Sequence, residues 1–299
     1  KCVPCGMCLV NCPFAAIADK SQIFQVINAI QRNDEVIACV APAFVGQFGK
    51  EATPAKLKAA MRILGFTDVV EVAIGADLCA VEEAYDFLEN VPAKQPFMGT
   101  SCCPAWSVMA KKLFPQFKDY ISMALTPMVI TARMVKKDHP NARIVFIGPC
   151  TAKKVEIKQD DVKGAVDYVL TFEELRAILD ARGLELAEMP EITAGEPSSY
   201  GRIFARTGGV AESVRRVAKL EGIETEINPI RCSGIEECIK TMKLASFGRL
   251  EENLIEGMAC KGGCTNGAAS IFHDQRGIQR VNDFSRLALT DNPMEGIRG

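Results

Sequence analysis

Apolar runs alternate with amphipathic segments through the first quarter of the chain. Residues 36–41 form a continuous apolar run that ends at Pro42, which is typical of a strand buried on both faces. Residues 19–35 before it and residues 54–64 after it repeat apolar side chains at helical spacing. Residues 68–73 are the next predicted strand. Because strand and helix alternate, the pattern predicts an α/β fold in which parallel sheet is flanked by helices.

The next segment carries polar as well as apolar residues at helical spacing, and we predict a helix over residues 75–90. The side chains expected to face the core are Leu78, Val81, Tyr85 and Leu88. Glu83, Asp86 and Asn90 are spaced by three and four, so they form a second stripe on a neighbouring face. This helix leads towards a turn with two adjacent cysteines.

The alternation continues in the second half of the chain. Residues 142–148 and 166–170 are predicted strands, and a capping box that starts at Thr171 opens a helix. Residues 190–203 contain several Pro and Gly and are predicted to form a long loop folded over the functional site. A further helix is expected over residues 210–219.

Composition bounds the size and surroundings of this fold. With 299 residues and 48% apolar content, the chain can bury a large core divided between about two lobes. The net charge of -2 gives no electrostatic basis for binding nucleic acid, and no apolar run reaches the roughly 18 residues of a membrane span. The chain begins at Lys1 rather than Met, so we expect a further segment upstream. Without secretory cues, a cytoplasmic location is expected.

The thirteen cysteines are grouped rather than scattered, which favours metal binding over disulfides. Cys2, Cys5, Cys8 and Cys12 follow the Cys-x2-Cys-x2-Cys-x3-Cys-Pro run of bacterial ferredoxins. In that run the first three thiolates hold one 4Fe-4S cluster and need a fourth ligand from elsewhere, while the last serves a second cluster. A zinc site is the alternative, although zinc motifs usually come as two separated pairs. The cysteines expected only to pack in the core are Cys39, Cys79, Cys232 and Cys238.

Three more turns carry cysteine, and in the first two of them the cysteine follows a plausible strand. They are Thr100-Ser-Cys102-Cys103-Pro-Ala-Trp106, Gly148-Pro-Cys150-Thr-Ala-Lys153-Lys154-Val-Glu156 and Glu256-Gly-Met-Ala-Cys260-Lys-Gly-Gly-Cys264-Thr-Asn-Gly267. Two buried thiols in a glycine-rich loop would explain the third turn alone. Three such turns in one chain predict a single convergent metal site. The spacing of Cys260 and Cys264 lets both face one way on a helical turn.

The adjacent thiols Cys102 and Cys103 cannot easily bind one compact cluster from the same direction. If Cys103 binds iron, Cys102 remains a free thiol that can donate or accept a proton. Lys153 is placed to hold an anionic ligand by a charge-assisted hydrogen bond, the alternative being that it simply faces water. The chain has only two histidines, both outside these turns, so proton transfer must use thiol, carboxylate or hydroxyl groups.

Together, the three turns resemble the active-site signatures of FeFe-hydrogenases, in the order in which that family carries them. The resemblance spans residues 1 to about 280 and includes the ferredoxin run. It implies a catalytic H-domain over residues 33–299, preceded by a partial two-cluster ferredoxin-like segment over residues 1–32. The H-domain would have two lobes, residues 33–160 plus C-terminal elements and residues 161–256. Each lobe would be a small, mainly parallel sheet flanked by helices, with the cofactor in the cleft between them.

The cofactor implied by the resemblance is the H-cluster, a 4Fe-4S cubane joined through a cysteine sulfur to a di-iron unit with carbon monoxide, cyanide and azadithiolate ligands. By motif position the cubane would be held by Cys103, Cys150, Cys260 and Cys264, with Cys264 as the bridge. Lys153 would hold a cyanide. The pocket around the di-iron unit would involve Ala41, Pro42, Gly148, Phe204 and Met258. Additional 4Fe-4S clusters would lie in the N-terminal segment.

The resemblance also implies a proton route through Cys102, Glu83, Ser122 and Asp86. Asp86 replaces a longer carboxylate of the family, so a water is expected to bridge the gap that the shorter side chain leaves. Gly148 replaces a bulky methionine, which is expected to remove packing around the di-iron unit. The expected result is a working cofactor with an altered rate, ligand stability or bias between directions.

The implied activity is the reversible interconversion of dihydrogen with two protons and two electrons. The implied partners are ferredoxin or another low-potential redox protein, and the maturation enzymes that build the cofactor. Two alternatives are a hydrogen sensor of low turnover and a non-enzymatic, hydrogenase-like iron-sulfur assembly factor. The presence of Cys102, Lys153 and Met258 disfavours the assembly factor, because a cubane alone needs none of them.

Overall fold

The computed structural model describes residues 2–192 and 195–296. The strands are β1 (Val36–Val40), β2 (Asp68–Glu71), β3 (Met98–Gly99), β4 (Arg143–Gly148), β5 (Tyr168–Thr171), β6 (Pro229–Ser233) and β7 (Leu254–Met258). The α-helices are α1 (Met7–Val10), α2 (Ile23–Gln31), α3 (Pro54–Leu64), α4 (Ala73–Asn90), α5 (Pro104–Leu113), α6 (Pro127–Asp138), α7 (Lys153–Glu156), α8 (Phe172–Ala181), α9 (Ser199–Ile203), α10 (Gly209–Leu220), α11 (Ile235–Ser246), α12 (Gly277–Ser285) and α13 (Pro293–Gly296).

The strands form two separate sheets, both parallel. One sheet has the order β2-β1-β4-β5 and the other has the order β3-β7-β6. Strand β1 lies between β2 and β4 and is buried along its whole length. Helices cover the sheets, as is usual for parallel sheets. The predicted α/β fold of small parallel sheets flanked by helices is confirmed.

The strands are distributed between the two sheets differently from the predicted division at residue 160. Strand β5 lies beyond that boundary but pairs with β4, with Val145 opposite Tyr168. Strand β3 lies before it but pairs with β7, with Met98 opposite Leu254. Alternating strands and helices predict parallel sheet, but the pairing depends on where each crossover returns, and the sequence pattern does not encode that.

Helix α4 has the expected type and end, but the predicted inward stripe is wrong. Tyr85 is 48% exposed, and Leu78, Val81 and Leu88 are only half-buried. The buried residues of this helix are Ala73, Gly75, Ala76, Asp77, Cys79, Ala80, Glu83, Ala84 and Phe87. A Cβ on Gly75 of this helix would lie 2.5 Å from the carbonyl oxygen of Pro127 on α6. Close packing against α6 therefore selects small side chains over large apolar ones, and Glu83 is buried among them.

Other elements differ in extent. The helix predicted over residues 19–35 is α2, and the strand predicted over residues 68–73 ends at Glu71 because α4 begins at Ala73. The predicted loop over residues 190–203 is irregular only as far as Ser198, and its last five residues form α9; residues 193 and 194 lie outside the described residues. The hydroxyl of Ser198 accepts a hydrogen bond from the amide of Gly201, which caps this short helix.

Candidate active site

The three cysteine turns follow the carboxyl ends of β3, β4 and β7. Cys103 is the N-cap of α5, Cys150 lies two residues past β4, and Cys260 lies two residues past β7. Cys102, Cys103, Cys150 and Cys264 all line one cavity of about 80 Å³. Its walls contain residues from both sheets, including Phe146 and Met258. The structure therefore brings the three turns to one place.

Glycine, rather than a helix, shapes the third turn. Gly262 and Gly263 have φ angles of +83° and +88°, in the region that favours glycine. A Cβ on Gly267 would lie 2.5 Å from the carbonyl oxygen of Pro149, so the two turns touch at this glycine. The expected helical turn across Cys260 and Cys264 is wrong: the chain makes a non-helical turn after Cys260, and a 3-10 helix begins only at Cys264.

Glu256 and Gly257 hold this turn against its neighbours. The Glu256 carboxylate accepts hydrogen bonds from the amides of Gly208 at 2.6 Å and Ala211 at 2.8 Å, at the N-terminus of α10. A Cβ on Gly257 would overlap the indole of Trp106, so the ring lies directly on the β7 backbone. The indole nitrogen donates to the carbonyl oxygen of Thr100 at 3.0 Å. Trp106 therefore ties the first turn to the third.

Burial and mutual repulsion raise the pKa values of three of the clustered thiols, Cys150, Cys260 and Cys264. Burial raises the pKa of Cys150 to about 11 and that of Cys264 to about 12, and other cysteines of the site add to each shift. The pKa of Cys260 is also raised, first by burial and then by Cys150, Cys103 and Cys264. Four thiolates here are unfavourable unless a cationic group lies among them.

The donor set fits an iron-sulfur cubane. All cysteines of the described residues are free thiols, so no disulfide uses them. In the same residues, no three or more His, Cys, Asp or Glu side chains are grouped closely enough to hold a single metal ion. Four clustered cysteines from three turns match the four-thiolate ligation of a 4Fe-4S cluster.

The rest of the cavity wall is mostly apolar. Ala41, Pro42, Phe204 and Met258 all line it. Gly148 does not, because the ring of Phe146 lies in front of it. A Cβ on residue 148 would lie 2.6 Å from Cε1 of that ring. The expected loss of packing at Gly148 is therefore wrong. A bulky side chain two residues earlier on the same strand face fills the space.

Lys153 is the cationic group of the cavity wall. It is 8% exposed, and its Nζ lies 2.7 Å from Oε2 of Glu156, which is 3% exposed. Burial acts to lower the pKa of Lys153, but Glu156 and the neighbouring cysteines more than offset this and the pKa is raised. The side chain therefore stays charged. Sequence reasoning did not single out Glu156 as its partner, although it stands three residues later on the same helical turn.

Glu83 is fully buried beside the first cysteine turn. Its Oε1 accepts hydrogen bonds from the amide of Ser101 at 2.7 Å and from the Ser101 hydroxyl at 2.9 Å. Burial raises the pKa of Glu83 to about 8. The pKa of Cys102 is raised as well, first by burial and then by Glu83. Sequence reasoning missed Ser101, although it is part of the same motif as Cys102.

The outer residues of the predicted route are in direct contact. The hydroxyl of Ser122 donates to Oδ2 of Asp86 at 2.5 Å, so the expected bridging water between these side chains is unnecessary. The amide of Asn90 donates to Oδ1 of Asp86 at 2.7 Å. In the described part of the chain, no hydrogen bond joins Glu83 to Ser122. Of the predicted route residues, Ser122 and Asp86 therefore form an outer pair that is separate from Glu83.

Cys79 also lies in this region. It is fully buried one helical turn before Glu83, and its thiol contributes to the raised pKa of Cys102. Burial and then Glu83 raise the pKa of Cys79 itself. Cys79 was expected only to fill the core, but its helix carries it to the edge of the site. The apolar pattern gave no signal for this.

The N-terminal cysteines lie in two environments. Cys2, Cys5 and Cys8 line one surface pocket, together with Thr151 and Lys154, while Cys12 lies apart from it. Cys5 also packs, with Cys103 and Cys150, against a small cluster that includes Ala152. A group bound by the first three cysteines would therefore lie close to the four-cysteine site. The backbone amide of Ala16 donates to Cys12 Sγ and lowers the pKa of that thiol.

Comparison with known proteins shows the family to which this chain belongs. Residues 34–268 match the sequence family described as the iron only hydrogenase large subunit, C-terminal domain. Since the match covers most of the chain, the protein belongs to this family. Its fold is similar to that of a variant of FeFe-hydrogenase HydA1 from Chlamydomonas reinhardtii, with a TM-score of 0.76 and 23% identity over 93% of each chain.

The curated relatives include proteins with two different roles. The chain is 31% identical over 323 residues to iron hydrogenase 1 of Clostridium pasteurianum, which covers 90% of this chain and 56% of that protein. It is 26% identical over 275 residues to a probable cytosolic Fe-S cluster assembly factor of Aedes aegypti, covering 75% of this chain and 58% of that protein. The chain thus spans little more than half the length of these relatives. Among the helices of the described ranges, none is long and apolar enough to cross a lipid bilayer.

Proposed function

We propose that this chain is the catalytic domain of an FeFe-hydrogenase, which interconverts dihydrogen with two protons and two electrons at an H-cluster. The observation that carries the proposal is the cavity beside the four clustered cysteines. Its wall contains a spare thiol, Cys102, and a buried cation, Lys153. A protein that held only a cubane would need neither group.

In this proposal the cubane is held by Cys103, Cys150, Cys260 and Cys264. The cavity that Cys264 lines would hold the di-iron unit. Met258 and Phe204 keep that cavity apolar and exclude water. The ammonium of Lys153 would donate to an anionic ligand of that unit, and its pairing with Glu156 keeps the side chain in place. The bound cofactor supplies the chemistry of dihydrogen itself.

Proton transfer is assigned to the thiol and carboxyl groups beside the cavity. Cys102 Sγ, at the cavity wall, gives and takes the proton that enters or leaves. Glu83 has a pKa of about 8, so it is mostly protonated near pH 7 and can still exchange its proton there. Ser101 fixes Oε1 of this carboxyl by two hydrogen bonds. Ser122 and Asp86 form the outer pair.

Electron transfer is assigned to the N-terminal segment, residues 1–32. Cys2, Cys5 and Cys8 would hold a 4Fe-4S cluster, and Cys12 would serve a second one. Support comes from Cys5, which packs against the same small cluster as Cys103 and Cys150. Such a cluster would pass electrons to ferredoxin or another low-potential protein. Maturation enzymes as further partners, and a cytoplasmic location, belong to the same proposal.

An iron-sulfur assembly role is the second candidate, because relatives such as the Aedes aegypti protein carry that name. Under this alternative the cavity beside the cubane would have no di-iron unit to hold. The two roles therefore differ in whether Cys102 matters for activity.

The test is hydrogen uptake by the matured protein with an artificial electron acceptor. Cys102→Ala should reduce uptake by about a hundredfold or more and leave the visible absorption of the cubane intact. Cys39→Ala, in the buried strand β1, is the matched control and should retain uptake. Undiminished uptake in Cys102→Ala would contradict the assignment of Cys102, and no uptake by the matured wild type would favour the assembly role.

A further inference from the structure

A second cavity, which we call the side chamber, lies next to the candidate proton route. Its volume is about 140 Å³, enough for several water molecules. Its floor is formed by four polar side chains, each at most 9% exposed: Ser101, Ser122, Thr126 and Glu156. A buried floor with this many hydrogen-bonding groups favours water over an empty void, because dry cavities are apolar.

The rim of the side chamber is exposed and charged. Lys111, Gln159 and Asp161 line it, and all three are exposed. The chamber therefore leads from solvent to a floor buried inside the protein. Ser101 and Ser122 both line it, and they lie on opposite sides of the gap in the candidate route.

The hydrogen bonds of these two hydroxyls define what the chamber can connect. The single hydroxyl proton of Ser101 is donated to Glu83 Oε1, at 2.9 Å. That of Ser122 is donated to Asp86 Oδ2, at 2.5 Å. Neither proton points across the gap, so a chain between the two serines needs a donor that the described residues do not provide there. A water in the chamber can donate to either oxygen.

Glu156 brings the chamber to the edge of the main cavity. Its Oε1 accepts a hydrogen bond from the Thr126 hydroxyl at 2.6 Å, and its Oε2 lies 2.7 Å from Nζ of Lys153. Lys153 lines the main cavity, whereas Glu156 and Thr126 line the chamber. The floor is therefore fixed in place by a buried ion pair, as expected of a built passage rather than a packing fault.

The hydrogen bonds of Asp86 do not provide a comparable connection between Glu83 and solvent. Both oxygens of that carboxylate already accept hydrogen bonds, Oδ2 from Ser122 and the amide of Met123, and Oδ1 from Asn90. The side chain of Asn90 at the outer end has no titratable group. This pair closes on itself and does not extend inward to Glu83.

We propose that the side chamber is a hydrated passage that connects Glu83 to solvent, through the Ser101 hydroxyl and out past Gln159 and Asp161. The role of this passage in catalysis rests on the proposed function. The connection itself is a property of the chain and exists without the cofactor. It predicts that water in the chamber, not the Asp86 pair, sets the rate at which Glu83 exchanges its proton.

The experiment follows hydrogen-deuterium exchange of the buried Glu83 carboxyl by infrared spectroscopy, on the purified full chain before maturation. The band is assigned by its loss in Glu83→Gln. Transfer into deuterated buffer near pH 6, below the Glu83 pKa of about 8, then gives the exchange rate. Ser107→Phe places a ring in the chamber, which Ser107 lines. We expect exchange to slow by about tenfold or more.

Two comparisons make this outcome specific. Ala93→Phe adds the same ring at an exposed position after α4 and should leave the rate unchanged. Asp86→Asn should also leave it within about twofold. Unchanged exchange in Ser107→Phe, or equal slowing in Asp86→Asn, would overturn the proposal. If Ser107→Phe does not fold, Ala124→Phe, on the opposite wall segment, replaces it with the same expectation. Because the chain carries no cofactor, hydrogenase activity does not affect the result.

Discussion

Arg202 pairs with Glu71 inside the protein through two hydrogen bonds, from Nε at 3.2 Å and from Nη2 at 3.0 Å. Both side chains are less than 10% exposed, and the guanidinium also lies 4.1 Å from the ring centroid of Phe284. Glu71 ends β2 and Arg202 lies on α9, two residues before the cavity residue Phe204. The pair therefore fixes the helix that delivers Phe204 to the cavity.

Removing one partner of this pair should be costly. Arg202→Met leaves the Glu71 carboxylate buried without its cation, and the free energy of unfolding should fall by about 3–5 kcal/mol. Arg176→Met is the control, because it breaks the exposed Arg176–Asp180 pair and should cost less than about 1 kcal/mol. Urea unfolding measures both. Equal effects of the two variants would contradict the structural role of the buried pair.

The raised pKa of Asp77 predicts that the stability of the protein depends on pH. Burial raises its pKa to about 7 from an ordinary value of 3.8. A carboxyl with a raised pKa in the folded state favours folding at low pH, and this contribution is lost as the pH rises from about 4 through about 7. The unfolding free energy of Asp77→Asn, relative to wild type, should therefore rise between pH 5 and pH 8 by on the order of 2–4 kcal/mol.

The measurement is urea unfolding of both proteins at several pH values. Glu71 and Glu256 also have raised pKa values, so the wild-type profile alone sums several groups. The difference between wild type and Asp77→Asn isolates one of them. A difference that stays constant with pH would show that Asp77 is ionised in the folded protein at low pH too.

The ring of Phe146 fills the space in front of Gly148, so the effects of substitutions at these two positions should be coupled. Phe146→Ala should open a void in the cavity wall and cost about 3–5 kcal/mol of stability. Gly148→Met should also destabilise, because its Cβ would lie 2.6 Å from the Phe146 ring. The double variant should be more stable than the sum of the two effects predicts, by more than about 1 kcal/mol, since the methionine fills the void. Additive effects would mean that the two sites do not share space.

Much of the fold follows from local patterns. The burial of β1 on both faces, the Pro54 start of α3 and the capping box of Thr171 and Glu174 are all visible in the sequence and present in the structure. The local sequence pattern does not predict features that are determined by contacts between distant segments. The inward face of α4 is set by close contact with α6, and the partner of β5 is set by a crossover, so neither is encoded in its own residues.

The residues of the candidate site also fall into those that local motifs indicate and those that only the structure reveals. The cysteine turns and the cavity residues Pro42 and Met258 belong to short motifs that carry their own signal. Ser101, Phe146 and Glu156 acquire their roles only from neighbours in space. Cys79 is an example in which a residue that packs by pattern comes to lie beside Cys102. Sequence reasoning therefore identifies candidate binding groups, and the structure adds the side chains that contact them.

The central claim is that four cysteines from three turns hold a cubane beside a cavity that contains a di-iron unit. An infrared spectrum of the protein after maturation tests it most directly. The account predicts sharp bands in the carbonyl and cyanide stretching regions, and Lys153→Met should shift the cyanide bands while the cubane absorption remains. A matured protein with the cubane absorption but no carbonyl or cyanide bands would contradict the account.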